Sequence, residues 1–266
     1  MHVTVHKGEY IMKASFKNAE RPLLCTMIKV ETIAEAISTI VNSEYDGAEA
    51  YGIQLEVLRE DQRSEEQLKY MFSFCKGKPI YITSYRNYYN EGKSDDECME
   101  LLLRGIKCGA TLADVMGDLY HPEPIEITYD EEAVKKQEEL IKKIHDMGGE
   151  VLISSHFHRF ISKEETMKIA REQERRGADV VKIVNYSSTE EQELIHFDIA
   201  SKMKHELDPK TKYLYLANGP QSKLLREIGP FLGVCMWLCI EHYVPYDSKE
   251  QPKLRNMRDM RMNMAL

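Results

Sequence analysis

From residue 23 onward, short β-rich runs alternate with longer segments of helical periodicity, and the alternation repeats eight times. The runs are Leu23–Ile28, Gly47–Ile53, Ile80–Ser84, Thr111–Met116, Glu150–Ser155, Val180–Val184, Tyr213–Ala217 and Val234–Ile240. Between them, Thr32 to Asn42 places Ile33, Ala36, Ile37, Ile40 and Val41 on one helix face. Asp95 to Lys107 repeats the pattern, with Gly109 just past its end. Asp130 to Met147 does so again, closed by Gly148 and Gly149. Lys163 to Arg176 follows, with Ser162 as N-cap, Glu165 completing a capping box and Gly177 as the stop. Strands that alternate strictly with helices run parallel, because each helix carries the chain back to where the next strand starts. Eight such units close on themselves, and 266 residues matches the roughly 250 typical of that closure. The expected fold class is α/β: a single (β/α)8 TIM barrel over residues 1–266, with residues 1–20 as a short N-terminal arm or hairpin covering the barrel floor.

Charge and cysteine usage narrow the partners. The formal net charge is −8, which argues against nucleic acid, since phosphate binding needs a basic stripe. A local pocket can still attract an anionic small molecule. The basic run Lys253 to Arg261 is expected to be a solvated tail or a closing helix. Six cysteines form no CxxC pair, and no His/Cys spacing matches a zinc site, so no metal is expected. The N-terminus lacks the apolar core of a signal peptide, and the longest apolar stretch, Val234–Ile240, is too short to span a bilayer. The expectation is a cytoplasmic protein with reduced thiols and no membrane partner.

In barrels of this kind chemistry sits at the C-terminal ends of the strands. Polar residues there are Glu49 and Tyr51 on strand two, Ser84, Tyr85 and Arg86 on strand three with Glu91 beyond, Asp114 on strand four, Ser154, Ser155 and His156 on strand five, Lys182 on strand six, Asn218 and Arg226 after strand seven, and Ser248 and Gln251 after strand eight. Lys182 stands out because Val180, Val181, Ile183 and Val184 surround it. Burial favours a neutral amine, and such an amine attacks ketones to form an iminium, an electron sink. A lysine so placed is also explained by pairing with a carboxylate, or by reaching out from the barrel rim. His156 is the candidate proton carrier for making and breaking the imine, with His158 as the competing choice. Arg86 and Arg226 offer bidentate forks for a carboxylate.

These residues give the chain its resemblance to the type I 3-dehydroquinate dehydratases, (β/α)8 lyases that act through a Schiff base. Gly177-Ala-Asp-Val-Val-Lys-Ile183 resembles that family's Schiff-base strand, and Ile153-Ser-Ser-His156 its histidine strand. Asp46-Gly-Ala-Glu49 resembles its strand-two acidic motif, Ile82-Thr-Ser-Tyr-Arg86 with Glu91-Gly92 its strand-three motif, Leu225-Arg226-Glu-Ile-Gly229 its late arginine motif, and Gln251 its C-terminal glutamine. The resemblance implies dehydration of 3-dehydroquinate to 3-dehydroshikimate, in aromatic amino acid biosynthesis by the shikimate pathway or in quinate use. It implies that Lys182 forms the imine, His156 moves the protons and Glu91 supports the histidine. It places substrate contacts on Glu49, Tyr51, Arg86, Arg226, Ser248 and Gln251. It also implies no cofactor, a carboxylated keto substrate and a homodimer.

Departures from the pattern bear on the substrate. Tyr51 stands where the family has arginine, Ile53 where it has aspartate, Met116 where it has the second strand-four acid, and Phe157-His158 where it has Asp-Phe. Ser248 falls three residues before Gln251, where the family's serine falls four before. Exchanging arginine for tyrosine leaves one hydroxyl in place of about five donors. A lyase acting on another cyclic β-hydroxy ketone, or a non-catalytic binding protein on the same barrel, are the alternative readings.

Overall fold

The computed structural model describes residues 14–243 and 249–264. Its strands are β1 (Leu23–Ile28), β2 (Ala50–Gln54), β3 (Ile80–Thr83), β4 (Leu112–Met116), β5 (Glu150–His156), β6 (Val180–Tyr186), β7 (Lys212–Asn218) and β8 (Met236–Cys239). They form one parallel sheet in the order β7-β6-β5-β4-β3-β2-β1-β8. Neighbours in sequence are neighbours in space, and β1 lies beside β8, as a barrel requires. The seam between β7 and β8 is bridged by the Cys235 N–H, which donates to Tyr213 O at 2.9 Å. The chain is a (β/α)8 TIM barrel.

The helices are α1 (Ile33–Asp46), α2 (Glu65–Ser73), α3 (Asp95–Lys107), α4 (Glu131–Asp146), α5 (Lys163–Arg175), α6 (Glu190–Glu206), α7 (Lys223–Ile228) and α8 (Leu254–Asn263). Capping boxes start α1 through Thr32 and Glu35, and α3 through Ser94 and Glu97. At α5 the expected box is only half formed. Ser162 accepts from the Glu165 N–H, but the Glu165 carboxylate turns to Arg159 at 3.2 Å. The expected start of strand two at Gly47 is three residues early. Gly47 adopts φ 95° to cap α1, and the chain becomes extended only after that turn. The basic C-terminal run is the closing helix α8: Leu254 and Met257 are buried, while Arg255 and Arg261 bond Asp46 and Glu49. Among the described residues no helix is long and apolar enough to cross a membrane.

Of the N-terminal arm, residues 1–13 lie outside the described residues. Residues 14–20 pack at the N-terminal end of the barrel, where the backbone N–H groups of Phe16 and Lys17 donate to the Glu150 carboxylate. Lys17 Nζ reaches Asp179 at 2.5 Å, and Phe16 is buried.

Strand parity decides which side chains meet inside. Successive residues point to opposite faces, so every second residue faces the barrel interior and the others face the helices. The interior set includes Met27, Gly52, Gln54, Tyr81, Thr83, Asp114, Ser154, His156, Lys182, Val184, Leu216, Asn218 and Leu238. Gly52 allows close approach here: a Cβ at that position would lie 2.3 Å from Met27 Sδ.

Candidate active site

Lys182 sits in the interior set of β6, 5% exposed, at a cavity of about 190 Å³ at the C-terminal ends of the strands. His156, Gln54, Tyr81, Tyr85, Arg226 and Gln251 line the same cavity. Lys29, Thr83 and Asn218 add further polar groups to it, and Met27, Val184, Leu216, Leu238 and Ile240 make up its apolar wall. Lys182 Nζ is 2.7 Å from the Tyr85 hydroxyl, 3.0 Å from the Tyr81 hydroxyl and 3.0 Å from Asp114 Oδ2. Both tyrosine hydroxyls donate to the same Asp114 oxygen, and Ser154 Oγ donates to the other at 2.5 Å. Asp114 is fully buried. Burial alone would raise its carboxyl, but the Lys182 charge and the three hydroxyl donors outweigh this and hold it below the ordinary aspartate range. Burial, reinforced by Asp114, pushes both tyrosine hydroxyls well above the usual phenol range, so they remain protonated. The amine is thus both a buried strand lysine and the partner of a carboxylate. Of the readings that the sequence left open, pairing with a carboxylate is the arrangement found.

His156 ends β5. Its Nδ1 lies 2.8 Å from Glu126 Oε2, and its backbone N–H donates to the same oxygen at 2.8 Å. With Nδ1 facing the carboxylate, Nε2 is the nitrogen free to exchange a proton. Burial works to raise Glu126, but the His156 ring and backbone N–H hold its carboxyl below the usual range. Glu126 adopts φ 43°, a left-handed conformation rarely taken by a residue with a side chain, at the point where it grips the histidine. Glu91, expected to support the histidine, is exposed and follows a short 3₁₀ turn beyond β3. The supporting carboxylate comes instead from the loop after β4. His158 is exposed and does not line the cavity.

Arg226 is buried beside the cavity. Its Nε donates to Ala217 O at 2.8 Å and its Nη2 to Asn218 Oδ1 at 2.6 Å. Burial brings the guanidinium down to about 10. Among the described residues no carboxylate lies within ion-pair distance of it. Burial works against its charge and the nearby Glu250 carboxylate works for it; a guanidinium at a cavity wall is a fork that suits a carboxylate.

Arg86 is placed differently. It pairs with Asp95 at 2.7 Å and Asp118 at 2.8 Å, and it lines a second, outer cavity of about 660 Å³. Gln54, Tyr85 and His156 line both cavities and so mark their junction. Ser248 lies outside the described residues.

Glu49 and Tyr51 are far from this mouth. Glu49 lies before β2, where Arg261 and Arg21 pair with it, each at 2.6 Å. The Tyr51 hydroxyl points out of the barrel and donates to Glu44 at 2.6 Å. The physical reason is parity: residues 49, 51 and 53 share the face turned toward the helices, and an odd shift along the strand exchanges the faces. Shifted by three residues, the acid-x-arginine-x-aspartate spacing falls on Gly52, Gln54 and Glu56, which face the interior and the mouth. Gln54 and Glu56 are therefore the strand-two residues that the sequence reading missed. The signal for them was available in Met27 and Tyr81, interior residues on either side of Gly52.

Glu56 is fully buried. It accepts from Thr83 Oγ1 at 2.9 Å and from Asn87 Nδ2 at 3.4 Å, and burial pushes its carboxyl up to about 7. A raised carboxyl favours the folded state while protonated, and that advantage is lost as pH rises from the ordinary glutamate range through about 7. The shift corresponds to about 3 kcal/mol. Glu56→Gln should remove this pH-dependent loss, leaving the variant more stable than the parent above pH 7 and similar to it near pH 4. Urea unfolding across that range checks it, and parallel pH profiles for the two proteins would contradict it.

Among the described residues no group of three or more His, Cys, Asp or Glu side chains could hold a metal ion.

Residues 24–260 match the sequence model of the type I 3-dehydroquinase family. Among curated proteins no sequence matches the chain. Similar solved structures include 3-dehydroquinate dehydratase from Geobacillus kaustophilus HTA426, at 15% identity and TM-score 0.77, covering 95% of this chain and 97% of that one. The type I 3-dehydroquinate dehydratase of Clostridium difficile is similar at 17% identity and TM-score 0.77, with 93% of each chain covered. The dehydratase of Enterococcus faecalis is similar at 15% identity and TM-score 0.74, covering 94% of this chain and 98% of that one. At such identities structural likeness speaks for the fold alone, and it is the family match, running over most of the chain, that shows that this protein belongs to the type I 3-dehydroquinase family.

Proposed function

We propose that the protein is a Schiff-base lyase that dehydrates 3-dehydroquinate to 3-dehydroshikimate. The observation that carries the reading is one cavity lined by a buried amine, a histidine held by a carboxylate and a buried guanidinium. Arg226 takes the substrate carboxylate, with Gln251 beside it. Lys182 attacks the C3 ketone, and loss of water gives an iminium that draws electrons from the neighbouring carbon. His156, with Nδ1 held by Glu126, takes the C2 proton on Nε2. It then delivers a proton to the departing C1 hydroxyl, which leaves as water. Hydrolysis of the imine frees the product. The test is to add 3-dehydroquinate and follow the ultraviolet absorbance of the conjugated product. Accumulation of that absorbance supports the dehydratase reading over a non-catalytic binder, and its absence at high enzyme concentration sinks it.

One observation favours a second substrate for the same chemistry. Gln54 and Glu56 stand at the mouth where the family's spacing calls for arginine and aspartate, and Met116 lines the outer cavity in place of an acid. A neutral amide and a carboxyl raised to about 7 recognise a different pattern of hydroxyls than a guanidinium and an ionised aspartate. Gln54→Arg distinguishes the two. A gain of about tenfold or more in kcat/KM for 3-dehydroquinate, near 1.4 kcal/mol, would show that the mouth is tuned to another cyclic β-hydroxy ketone. Unchanged or reduced turnover is the outcome expected if 3-dehydroquinate is the substrate. Tyr51→Arg offers no such test, because it would put the guanidinium behind the sheet.

A further inference from the structure

We propose that Tyr85, backed by Asp114, carries the protons of imine formation and imine hydrolysis at Lys182, leaving His156 for the proton on carbon. This rests on the Schiff-base reading above and divides its labour between two groups.

The division follows from contacts. Lys182 Nζ bonds Tyr85, Tyr81 and Asp114, whereas His156 bonds Glu126. Of the two hydroxyls at the amine, Tyr85 is the nearer at 2.7 Å. Tyr85 also lines both cavities, at their junction. Its ring meets His156 edge-on, with centroids 5.5 Å apart. Tyr81 lines only the inner of these two cavities and lies 3.4 Å from Tyr85, hydroxyl to hydroxyl.

The proton count closes through this pair. The Lys182 ammonium passes one proton to the Tyr85 oxygen as the Tyr85 hydroxyl proton moves to Asp114, which leaves a neutral amine. The amine lone pair forms the N–C bond and the carbonyl π pair moves to oxygen. One of the two protons left on nitrogen transfers to that oxygen, giving the neutral carbinolamine. Its hydroxyl is two bonds from Nζ, within reach of a group that already touches Nζ. Asp114 returns its proton through Tyr85 to this hydroxyl, the C–O bond breaks, water leaves, and the nitrogen lone pair forms the iminium. Asp114 and Tyr85 end as they began, and both hydrogens of the water came from the ammonium. Imine hydrolysis runs the same relay backwards. Asp114 suits the task because its acceptor oxygens are organised by Tyr81, Tyr85 and Ser154 before any substrate arrives.

The experiment measures the rate of borohydride-trapped adduct with 3-oxocyclohexane-1-carboxylate, a cyclic keto acid with no β-hydroxyl to eliminate, so that only imine formation is read. Tyr85→Phe keeps the ring against His156 and should slow trapping by about 10²-fold. His156→Ala should trap at close to the parent rate while losing turnover of 3-dehydroquinate. Asp114→Asn keeps the shape of the site and should also slow trapping, which keeps the test open if Tyr85→Phe fails to fold. Parent-like trapping by Tyr85→Phe, or slowed trapping in His156→Ala alone, would overturn the relay. If the parent traps the saturated ketone but makes no product from 3-dehydroquinate, the substrate assignment fails and the relay stands. If the parent traps neither compound, both readings fall together.

Discussion

Lys182→Met should abolish turnover while leaving the barrel folded. Methionine has a similar length and removes the ammonium, which leaves the buried Asp114 with its three hydroxyl donors but without its cation, so some stability is lost while the barrel stays folded. The reaction then has no electron sink, since the iminium cannot form. Activity should fall to background, whereas removal of a group that only binds substrate would raise KM and leave kcat. Steady-state kinetics on the purified variant, with circular dichroism to confirm the fold, separates the two. Measurable kcat at saturating substrate would mean that Lys182 is a structural partner of Asp114.

Asp114→Ala should produce the largest loss of stability of any single substitution in the site. Asp114 is fully buried, pairs with Lys182 at 3.0 Å and accepts from the Tyr81, Tyr85 and Ser154 hydroxyls. Removing it strands a buried ammonium and takes the acceptor from three hydroxyls. Breaking a buried pair from one side costs about 3–5 kcal/mol. In the double variant Asp114→Ala/Lys182→Met the stranded charge is gone, so the two costs should not add; a coupling of about 0.5–3 kcal/mol is the usual range for contacting residues. Urea unfolding of the four proteins in the cycle measures this. Additive costs would show that the pair is not coupled in the folded state.

The alternation of strand and helix was legible from end to end because each element is bounded by its own signals. Ser94 with Glu97 starts α3, and Gly177 in the left-handed region, at φ 100°, stops the segment after α5. Lys182 was legible for a related reason: a charged residue inside a β-branched run needs a polar partner, which the barrel interior supplies in Asp114. Arg226 and His156 were visible at strand ends, and both line the cavity. The rest depended on information that a local reading lacks. Strand two is flanked by acids in both faces' registers, at Glu49 and Glu56, and only pairing with β1 and β3 tells which set faces inward. Glu126 sits in a loop beyond two prolines and gives no periodic signal, yet its backbone turns left-handed to bring the carboxylate to His156. Tyr81 reads as an ordinary aromatic residue of strand three, and Tyr85 stands out only as one polar residue among several at that strand's end. Their importance comes from Lys182, which follows Tyr85 by 97 residues in the chain.

The proposed chemistry stands or falls on a covalent bond between the Lys182 amine and a substrate carbon. Intact-protein mass after incubation with 3-dehydroquinate and borohydride, followed by peptide mapping, detects that bond. A single reduced adduct on the peptide carrying Lys182, absent in Lys182→Met, is the expected result. Product formation by the parent with no adduct on that lysine would contradict it.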